Sequence, residues 1–179
     1  MEKFSVIIPT IWKSEFTIPL LQRLSKSEAV GEIILIDNAP NWDITMDKLI
    51  HIKESENTYV NPAWNKGVEL AKWNNITIAN DDILFDVDEY FHYMEQIPLK
   101  EFGFIGSHSD NYKDGEFDTI HLEKYDNQTN VGGWGCLFSF DKRLPGLAQS
   151  TFEFSDGELG LSLPDSPASG ARKVLWSAQ

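Results

Sequence analysis

The chain alternates between two hydrophobic patterns, and their order predicts the fold. Short continuous apolar runs rich in β-branched residues are typical of buried strands. We predict such strands at 4–8, 32–36, 49–53, 76–79, 104–105, 136–140 and 173–176. Apolar residues at helical spacing predict helices after the first, third and fourth of these strands, at about 14–24, 61–71 and 86–94.

Two of the predicted helices begin at residues that commonly cap helices. Ser14 is placed to cap the first helix, and Pro19 is then tolerated near its first turn. Asn61 followed by Pro62 predicts the start of the second helix, because asparagine caps helices and proline suits the first helical position.

The alternation of strands and helices predicts an α/β fold with a mostly parallel sheet and helices on both faces. The elements become shorter in the second half, which indicates a small antiparallel addition. The polar stretch 110–130 is expected to hold a loop or an edge hairpin. A length of 179 residues is that of one domain with a substantial core.

The composition narrows the possible partners. A formal net charge of −13 argues against nucleic-acid binding, which needs clustered lysine and arginine. No apolar stretch approaches the roughly 20 residues that span a bilayer, so we expect no transmembrane segment. The N-terminus lacks signal-peptide features, and Cys136 is a single cysteine, so we expect a cytoplasmic protein without an internal disulfide. The sequence does not indicate an oligomeric state.

The stretch IANDDILF places Asn80, Asp81 and Asp82 together at the end of a predicted strand. Adjacent carboxylates repel each other unless they face water or share a cation. Mg²⁺ and Mn²⁺ take oxygen ligands, often one or two carboxylates plus phosphate oxygens, so a metal site is one interpretation. The other is an ordinary strand-to-helix turn in which Asp82 or Asp86 caps the next helix.

Asp37 ends the second predicted strand and therefore lies at the same edge of the sheet. Ligands of open α/β sheets bind at the carboxyl ends of the strands. Asp37 is a candidate to accept hydrogen bonds from a base or a ribose hydroxyl, and the alternative is an Asx-turn into Asn38. Asn65, near the start of the second helix, is a candidate contact to a phosphate or a base.

Two segments of the second half carry further candidate chemistry. Gly133, Trp134 and Gly135 form either a loop that approaches a sugar closely or a tight turn with the indole in the core. Asp156 and Glu158 are candidate general bases, or else they cap a helix. Zinc-ligand spacing, G-x-S-x-G, G-x-G-x-x-G and the Walker loop are absent from the sequence.

Taken in order, the segments FSVIIPT, IILIDNAP, NPAWNKGVELA, IANDDILF, GGWGCLFSF and FSDGELGLSL resemble the type A (GT-A) glycosyltransferases, in particular the inverting family 2 group. The resemblance implies a single Rossmann-like GT-A domain over 1–179, with a nucleotide-binding half at 1–85 and an acceptor-side half at 86–179. It implies nucleotide-sugar contacts from Pro9, Thr10, Asp37, Asn38, Asn65, Asn80 and Asp81. It also implies an acceptor or sugar loop at Gly133, Trp134 and Gly135.

The same resemblance implies a cofactor and a reaction. Asp82 and Asn80 would hold Mn²⁺ or Mg²⁺, and Asp156, with Glu158 as second candidate, would be the catalytic base. The reaction would move a sugar from a nucleoside-diphosphate sugar to a hydroxyl of a glycan or small acceptor, in polysaccharide or glycan synthesis. The chain departs from the family at Asn80, where the family has Asp, at Pro164, where it commonly has Arg, and in having no His after KVLW.

Two other functions remain open at this point. The first is a non-catalytic module that binds a nucleotide sugar or a carbohydrate. The second is a nucleotidyltransferase, although the Gly-rich, Arg-containing loop of those enzymes is replaced here by PTIWKSEF.

Overall fold

A computed structural model describes residues 2–40, 42–107, 120–124, 136–144, 152–155, 158–161 and 174–178. Side chains are described up to residue 106, except that of Phe102, and again at 136–144. The elements are β1 (Phe4–Thr10), α1 (Thr17–Lys26), β2 (Val30–Asp37), β3 (Leu49–Lys53), α2 (Val60–Leu70), β4 (Asn75–Ala79), α3 (Val87–Met94), α4 (Leu99–Phe102), β5 (Ile105–Ser107), β6 (Ile120–Lys124), β7 (Leu137–Asp141), β8 (Phe152–Ser155), β9 (Glu158–Leu161) and β10 (Val174–Ala178). Within these ranges no helix has both the length and the apolar character needed to cross a membrane.

Eight strands form one sheet in the order β3-β2-β1-β4-β7-β5-β10-β6. The first four are parallel to one another. β7 runs antiparallel between β4 and β5, and β10 pairs parallel with β5 and antiparallel with β6. The predicted mostly parallel sheet with an antiparallel addition is confirmed.

Helices cover both faces of this sheet, as predicted. The leucines of α1 and the aromatic residues of α3 pack against one set of strand side chains, which includes Val6, Ile8 and Leu35. α2 covers the opposite face, where Trp64 meets the ring of Phe138 edge-on at 5.5 Å between centroids. Alternate residues of each central strand therefore belong to different cores, which is why these strands read as continuous apolar runs.

The caps predicted for the first two helices are wrong, whereas Asp86, one of the two caps considered for the third, does cap α3 by accepting a hydrogen bond from the Glu89 amide at 3.0 Å. α1 begins at Thr17, after Phe16, and Ser14 only accepts a hydrogen bond from the Phe16 amide at 3.1 Å. α2 begins at Val60, and its cap is Tyr59 rather than Asn61.

The early start of α2 has a tertiary cause. The amide and hydroxyl of Thr58 both donate to Asn38 Oδ1, at 3.0 and 2.8 Å, and Asn38 Nδ2 donates to the carbonyl of Tyr59 at 3.4 Å. These bonds from the end of β2 hold Tyr59 at φ 62° and ψ −176°, a region that residues other than glycine rarely adopt. The backbone is thereby turned into the helix at Val60, one residue before Asn61, the predicted cap.

Three buried hydroxyl groups join the helical layer to the sheet. Ser139 Oγ lies 2.7 Å from Thr77 Oγ1 and 2.8 Å from the phenol oxygen of Tyr90. Burial raises the pKa of Tyr90 far above its usual value, so this side chain remains a neutral phenol. The network fixes α3 over β4 and β7 and so sets where the segment between β4 and α3 can run.

Candidate functional site

The carboxyl ends of β1, β2, β3 and β4 form one continuous edge. In the strand register Thr10 is opposite Asp37, and Asp37 is opposite Lys53. The start of α2 lies at the same edge, because Tyr59 is bonded to Asn38. Pro9, Thr10, Asp37, Asn38 and the triplet after β4 are therefore brought together, whereas Asn65 lies one turn further along α2.

The triplet after β4 is divided between the two sides of this edge. Ala79 belongs to the core under α1 and α3, and Ile78 belongs to the core under α2. Asp81 continues the alternation on the α1 side, where its Oδ2 accepts hydrogen bonds from Thr10 Oγ1 at 2.6 Å and from Thr17 Oγ1 at 3.2 Å. Asp82 is exposed. Asp81 thus anchors the turn to β1 and α1, and Asp82 is the carboxylate that faces solvent.

The Asp81 carboxylate is held at an electrostatic cost. Burial raises its pKa above the ordinary value of 3.8, the hydrogen bonds from Thr10 and Thr17 offset part of that rise, and the charge of Asp82 adds to it. A cation near the pair would lower this cost by favouring the ionised forms.

The raised pKa of Asp81 predicts a stability change with pH. The folded protein binds the Asp81 proton more tightly than the unfolded chain, so stability falls as pH rises from about 3.8 through the folded-state pKa. Asp81→Asn keeps an acceptor for the threonine hydroxyls and removes the charge. We expect the melting temperature of this variant at pH 7 to equal that of the parent or to be up to about 2 °C higher. The gain is small because solvent screens much of the electrostatic cost of the Asp81 charge.

Melting curves between pH 3.5 and 7 test this expectation, with Asp88→Asn as the control because Asp88 is exposed on α3. The parent should lose stability over part of this range relative to Asp81→Asn. A variant several degrees less stable than the parent at pH 7 would show that the charge of Asp81 is stabilising.

Asp37 is fully buried, and both of its carboxylate oxygens are engaged. Oδ1 accepts a hydrogen bond from the Ala39 amide at 2.9 Å, which is the Asx-turn of the alternative interpretation. Oδ2 lies 2.9 Å from His51 Nε2, and the His51 side chain is 11% exposed. A contact from Asp37 to a nucleoside stays a prediction, and in this structure the carboxylate holds a histidine.

Three buried polar atoms at this edge have no hydrogen-bond partner within the part of the chain that the structure describes. They are Trp12 Nε1, Asn61 Oδ1 and Asn80 Oδ1. Trp12 follows β1, Asn61 lies in the first turn of α2, and Asn80 follows β4. Buried polar atoms are usually paired, so a group of unpaired ones at a sheet edge indicates a place where a ligand or water completes the bonding.

An aromatic group at the edge was not predicted. The rings of Trp42 and His51 lie 5.9 and 6.1 Å from that of Trp12, measured between centroids, and Trp42 is 59% exposed. A tryptophan two residues beyond the end of a strand, and another inside the polar stretch DNAPNWD, were the available signals. The contribution of His51 had no signal in the sequence, because it depends on the register of β3 against β2.

Several predicted site residues lie outside the described residues. These are Gly133, Trp134, Gly135 and Asp156. Glu158 begins β9, which pairs antiparallel with β8 in a separate two-stranded sheet. The alternative in which Glu158 caps a helix is therefore wrong, because Glu158 begins a strand, and the role of Asp156 stays a prediction.

Comparisons with known proteins give a fold and no family. No protein-family model matches the sequence, and no curated protein matches it. Among solved structures, Staphylococcus aureus TarS, residues 1–349, is 13% identical with a TM-score of 0.64, over 97% of this chain and 57% of that one. A 4-diphosphocytidyl-2C-methyl-D-erythritol synthase from Anaerococcus prevotii is 15% identical with a TM-score of 0.57, over 87% and 79%.

A third structure is similar over a smaller region. It is the mannosyltransferase PcManGT from Pyrobaculum calidifontis in complex with GDP-Man and Mn²⁺, 16% identical with a TM-score of 0.48, over 59% of this chain and 35% of that one. The chain thus spans little more than half, or less, of the TarS and PcManGT chains it resembles. The chain has the GT-A, Rossmann-like α/β fold that its sequence predicts.

Proposed function

We propose that this chain is a metal-dependent transferase domain that moves a sugar from a nucleoside-diphosphate sugar to an acceptor hydroxyl. The observation that carries the proposal is the arrangement after β4. Asp81 is tied to Thr10 and Thr17, and this leaves Asp82 facing solvent beside Asn80, whose buried amide oxygen has no partner within the described residues. Two oxygen ligands are thereby offered at a sheet edge that commonly binds ligands.

The residues present fit a hard divalent cation. Asn80 Oδ1 is a buried oxygen with no donor among the described residues, and Asp82, two residues later in the turn that follows β4, is an exposed carboxylate. No cluster of three acidic, histidine or cysteine side chains that could hold a metal occurs within the described ranges. The proposal therefore rests on two oxygen ligands, and Mg²⁺ or Mn²⁺ can be held by one or two protein carboxylates with phosphate and water completing the shell.

The ion, when bound, would neutralise the charge that develops on the diphosphate leaving group. The chain's own residues do the remaining work. Thr10 and Thr17 fix the turn through Asp81, and the first turn of α2 directs backbone N–H groups towards the same edge, where they favour an anion. In a protein with a net charge of −13, a cation and backbone amides are the expected means of holding a diphosphate.

Asp156, with Glu158 as second candidate, remains the proposed base that takes the proton from the acceptor hydroxyl. Attack from the side opposite the diphosphate would invert the anomeric centre. The two functional halves, 1–85 and 86–179, and a role in polysaccharide or glycan synthesis belong to the same proposal. The likeness in fold to the diphosphocytidyl synthase keeps nucleotidyl transfer as the second candidate.

A thermal-shift panel tests the proposed function. UDP-, GDP- and TDP-sugars are added with Mn²⁺ and, in parallel, with excess EDTA. We expect at least one sugar nucleotide at about 100 times its Kd to add about 2.7 kcal/mol of stability, and this only when metal is present. For a protein of this size that gain raises the melting temperature by about 5 to 10 °C.

Each other outcome points to a different function. Melting-temperature shifts of equal size with Mn²⁺ and with EDTA would show that nucleotide-sugar binding does not need a metal. Release of pyrophosphate from a nucleoside triphosphate would identify a nucleotidyltransferase. Binding without turnover, unchanged in Asp156→Ala, would identify a non-catalytic binding module.

A further inference from the structure

Three aromatic rings form a cluster at the β1–β2–β3 end of the edge, away from the proposed metal ligands. We name it the indole–imidazole cluster, made of Trp12, Trp42 and His51. Trp12 lies at the centre, with Trp42 inclined to it by 30° and His51 edge-on at 74°. Trp42 is 59% exposed, so a large flat apolar face is presented to solvent beside a ligand-binding edge.

The Asp37–His51 pair determines which hydrogen-bonding group the cluster offers. An ionised carboxylate only accepts hydrogen bonds, so the contact at 2.9 Å places the proton of a neutral His51 on Nε2. The other ring nitrogen, Nδ1, is then an acceptor. Nothing within the described ranges donates to it. Asp37 thus lies behind the histidine, and the imidazole is the group left to meet a ligand.

Trp12 contributes an unpaired indole N–H to the cluster, and its backbone is strained. Its Nε1 is buried without an acceptor in the described part of the chain. Its backbone has φ 58°, a left-handed conformation that costs a bulky residue about 1 kcal/mol or more. Thr10 Oγ1 holds this conformation by accepting from the Trp12 amide at 2.9 Å. The same threonine hydroxyl donates to Asp81, which connects the cluster to the metal side of the edge.

We propose that the indole–imidazole cluster binds the nucleobase of the donor, an inference that rests on the proposed function. Trp42 stacks on the base, and His51 Nδ1 accepts its ring N–H. Asp37 is a positioning residue that fixes the histidine tautomer. The members of the cluster lie on or follow β1, β2 and β3, one to three strands from β4, and strands about 4.8 Å apart place them about 5 to 15 Å from Asn80 and Asp82, a span that a nucleoside can bridge.

The indole N–H of Trp12 and the Nδ1 acceptor of His51 together favour one class of base. Uracil, thymine and guanine carry a ring N–H beside a carbonyl oxygen, which matches an imidazole acceptor next to an indole N–H. Adenine and cytosine have a bare ring nitrogen at that position. We therefore expect UDP and GDP to bind more tightly than ADP and CDP.

Calorimetric titration with and without a base tests the cluster. The probes are UDP, GDP, ADP, CDP and inorganic pyrophosphate, each with Mn²⁺. The protein should bind UDP or GDP at least about tenfold more tightly than pyrophosphate, because stacking of one base contributes about that factor or more. ADP and CDP should be weaker than the best of the first two.

Variants then assign the effect to residues. Trp42→Ala removes the exposed indole, and His51→Phe keeps a ring while removing both nitrogens. Each should raise the Kd of the preferred nucleotide about tenfold and leave that of pyrophosphate unchanged. Asp37→Asn should weaken nucleotide binding without changing pyrophosphate binding. Leu70→Ala, an exposed apolar truncation at the far end of α2, is the matched control and should change neither.

The outcomes separate this inference from the proposed function. A parent protein that binds no nucleotide would overturn the proposed function itself. Nucleotide binding that is retained in both Trp42→Ala and His51→Phe, with melting temperatures intact, would overturn the base assignment and leave the metal site standing. Loss of pyrophosphate binding in Trp42→Ala would also overturn the base assignment, since it would mean that the indole contacts the phosphates.

Discussion

Asp82→Ala is expected to lower kcat/KM for sugar transfer by about a hundredfold or more, because a metal that neutralises the leaving group contributes several kcal/mol to the transition state. The side chain is exposed, and no hydrogen bond or ion pair ties it to another of the described residues. Its removal should therefore leave the melting temperature within about 2 °C of the parent, or slightly higher, since Asp81 loses a repelling neighbour.

Two measurements check this expectation. The first is the release of nucleoside diphosphate as a function of Mn²⁺ concentration, and the second is the metal-dependent thermal shift, which Asp82→Ala should abolish. Asp88→Ala is the matched control, because it removes an exposed carboxylate six residues away on α3. Parent-like Mn²⁺ dependence in Asp82→Ala would assign the ion to other ligands.

Gly67→Ala is expected to destabilise the fold by about 2 kcal/mol. A Cβ at this position of α2 would come 2.3 Å from Cγ2 of Ile7, which is fully buried in β1. Overpacking of this kind costs about 1 to 3 kcal/mol, occasionally more, and the better helix propensity of alanine returns up to about 1 kcal/mol. The melting temperature should fall by about 4 to 8 °C.

Denaturant unfolding of a double-mutant cycle measures the clash directly. Ile7→Leu removes Cγ2, the atom nearest the added Cβ, while conserving side-chain volume, so adding it to Gly67→Ala should cost less than adding it to the parent. Glu69→Ala, exposed on the same helix, controls for helix propensity. Additive effects in the cycle would mean that α2 moves away from the sheet instead of pressing on Ile7.

The fold could be predicted because its central strands are buried on both faces. Runs such as Ile33–Ile36 of β2 have no polar interruption, and each is followed by a break, so the central strands and the helices between them follow from local pattern alone. The helix starts could not be predicted in the same way. α2 begins directly after Tyr59 because Asn38, 21 residues before Tyr59, bonds to the chain there.

The candidate site shows the same division between local and tertiary information. That a cluster of acids follows β4 could be read from the sequence, but which aspartate is anchored could not, because Asp81 is held by Thr10 and Thr17, more than 60 residues earlier. The pairing of Asp37 with His51 did not follow from any local pattern, because it requires Leu35 to lie opposite His51 in the sheet. The involvement of Trp12 depends likewise on a backbone conformation that its residue type does not favour.

The insertion of β7 beside β4 has a consequence for how the chain folds. The four parallel strands are complete by Ala79, yet the partner for the free side of β4 begins at Leu137, almost 60 residues later. During synthesis, one edge of β4 therefore stays unpaired until β7 has been made. An exposed apolar strand edge of this kind can pair wrongly with another chain. Expression yield and aggregation should respond most to changes in β4 and β7, and slower translation between them would prolong the vulnerable interval.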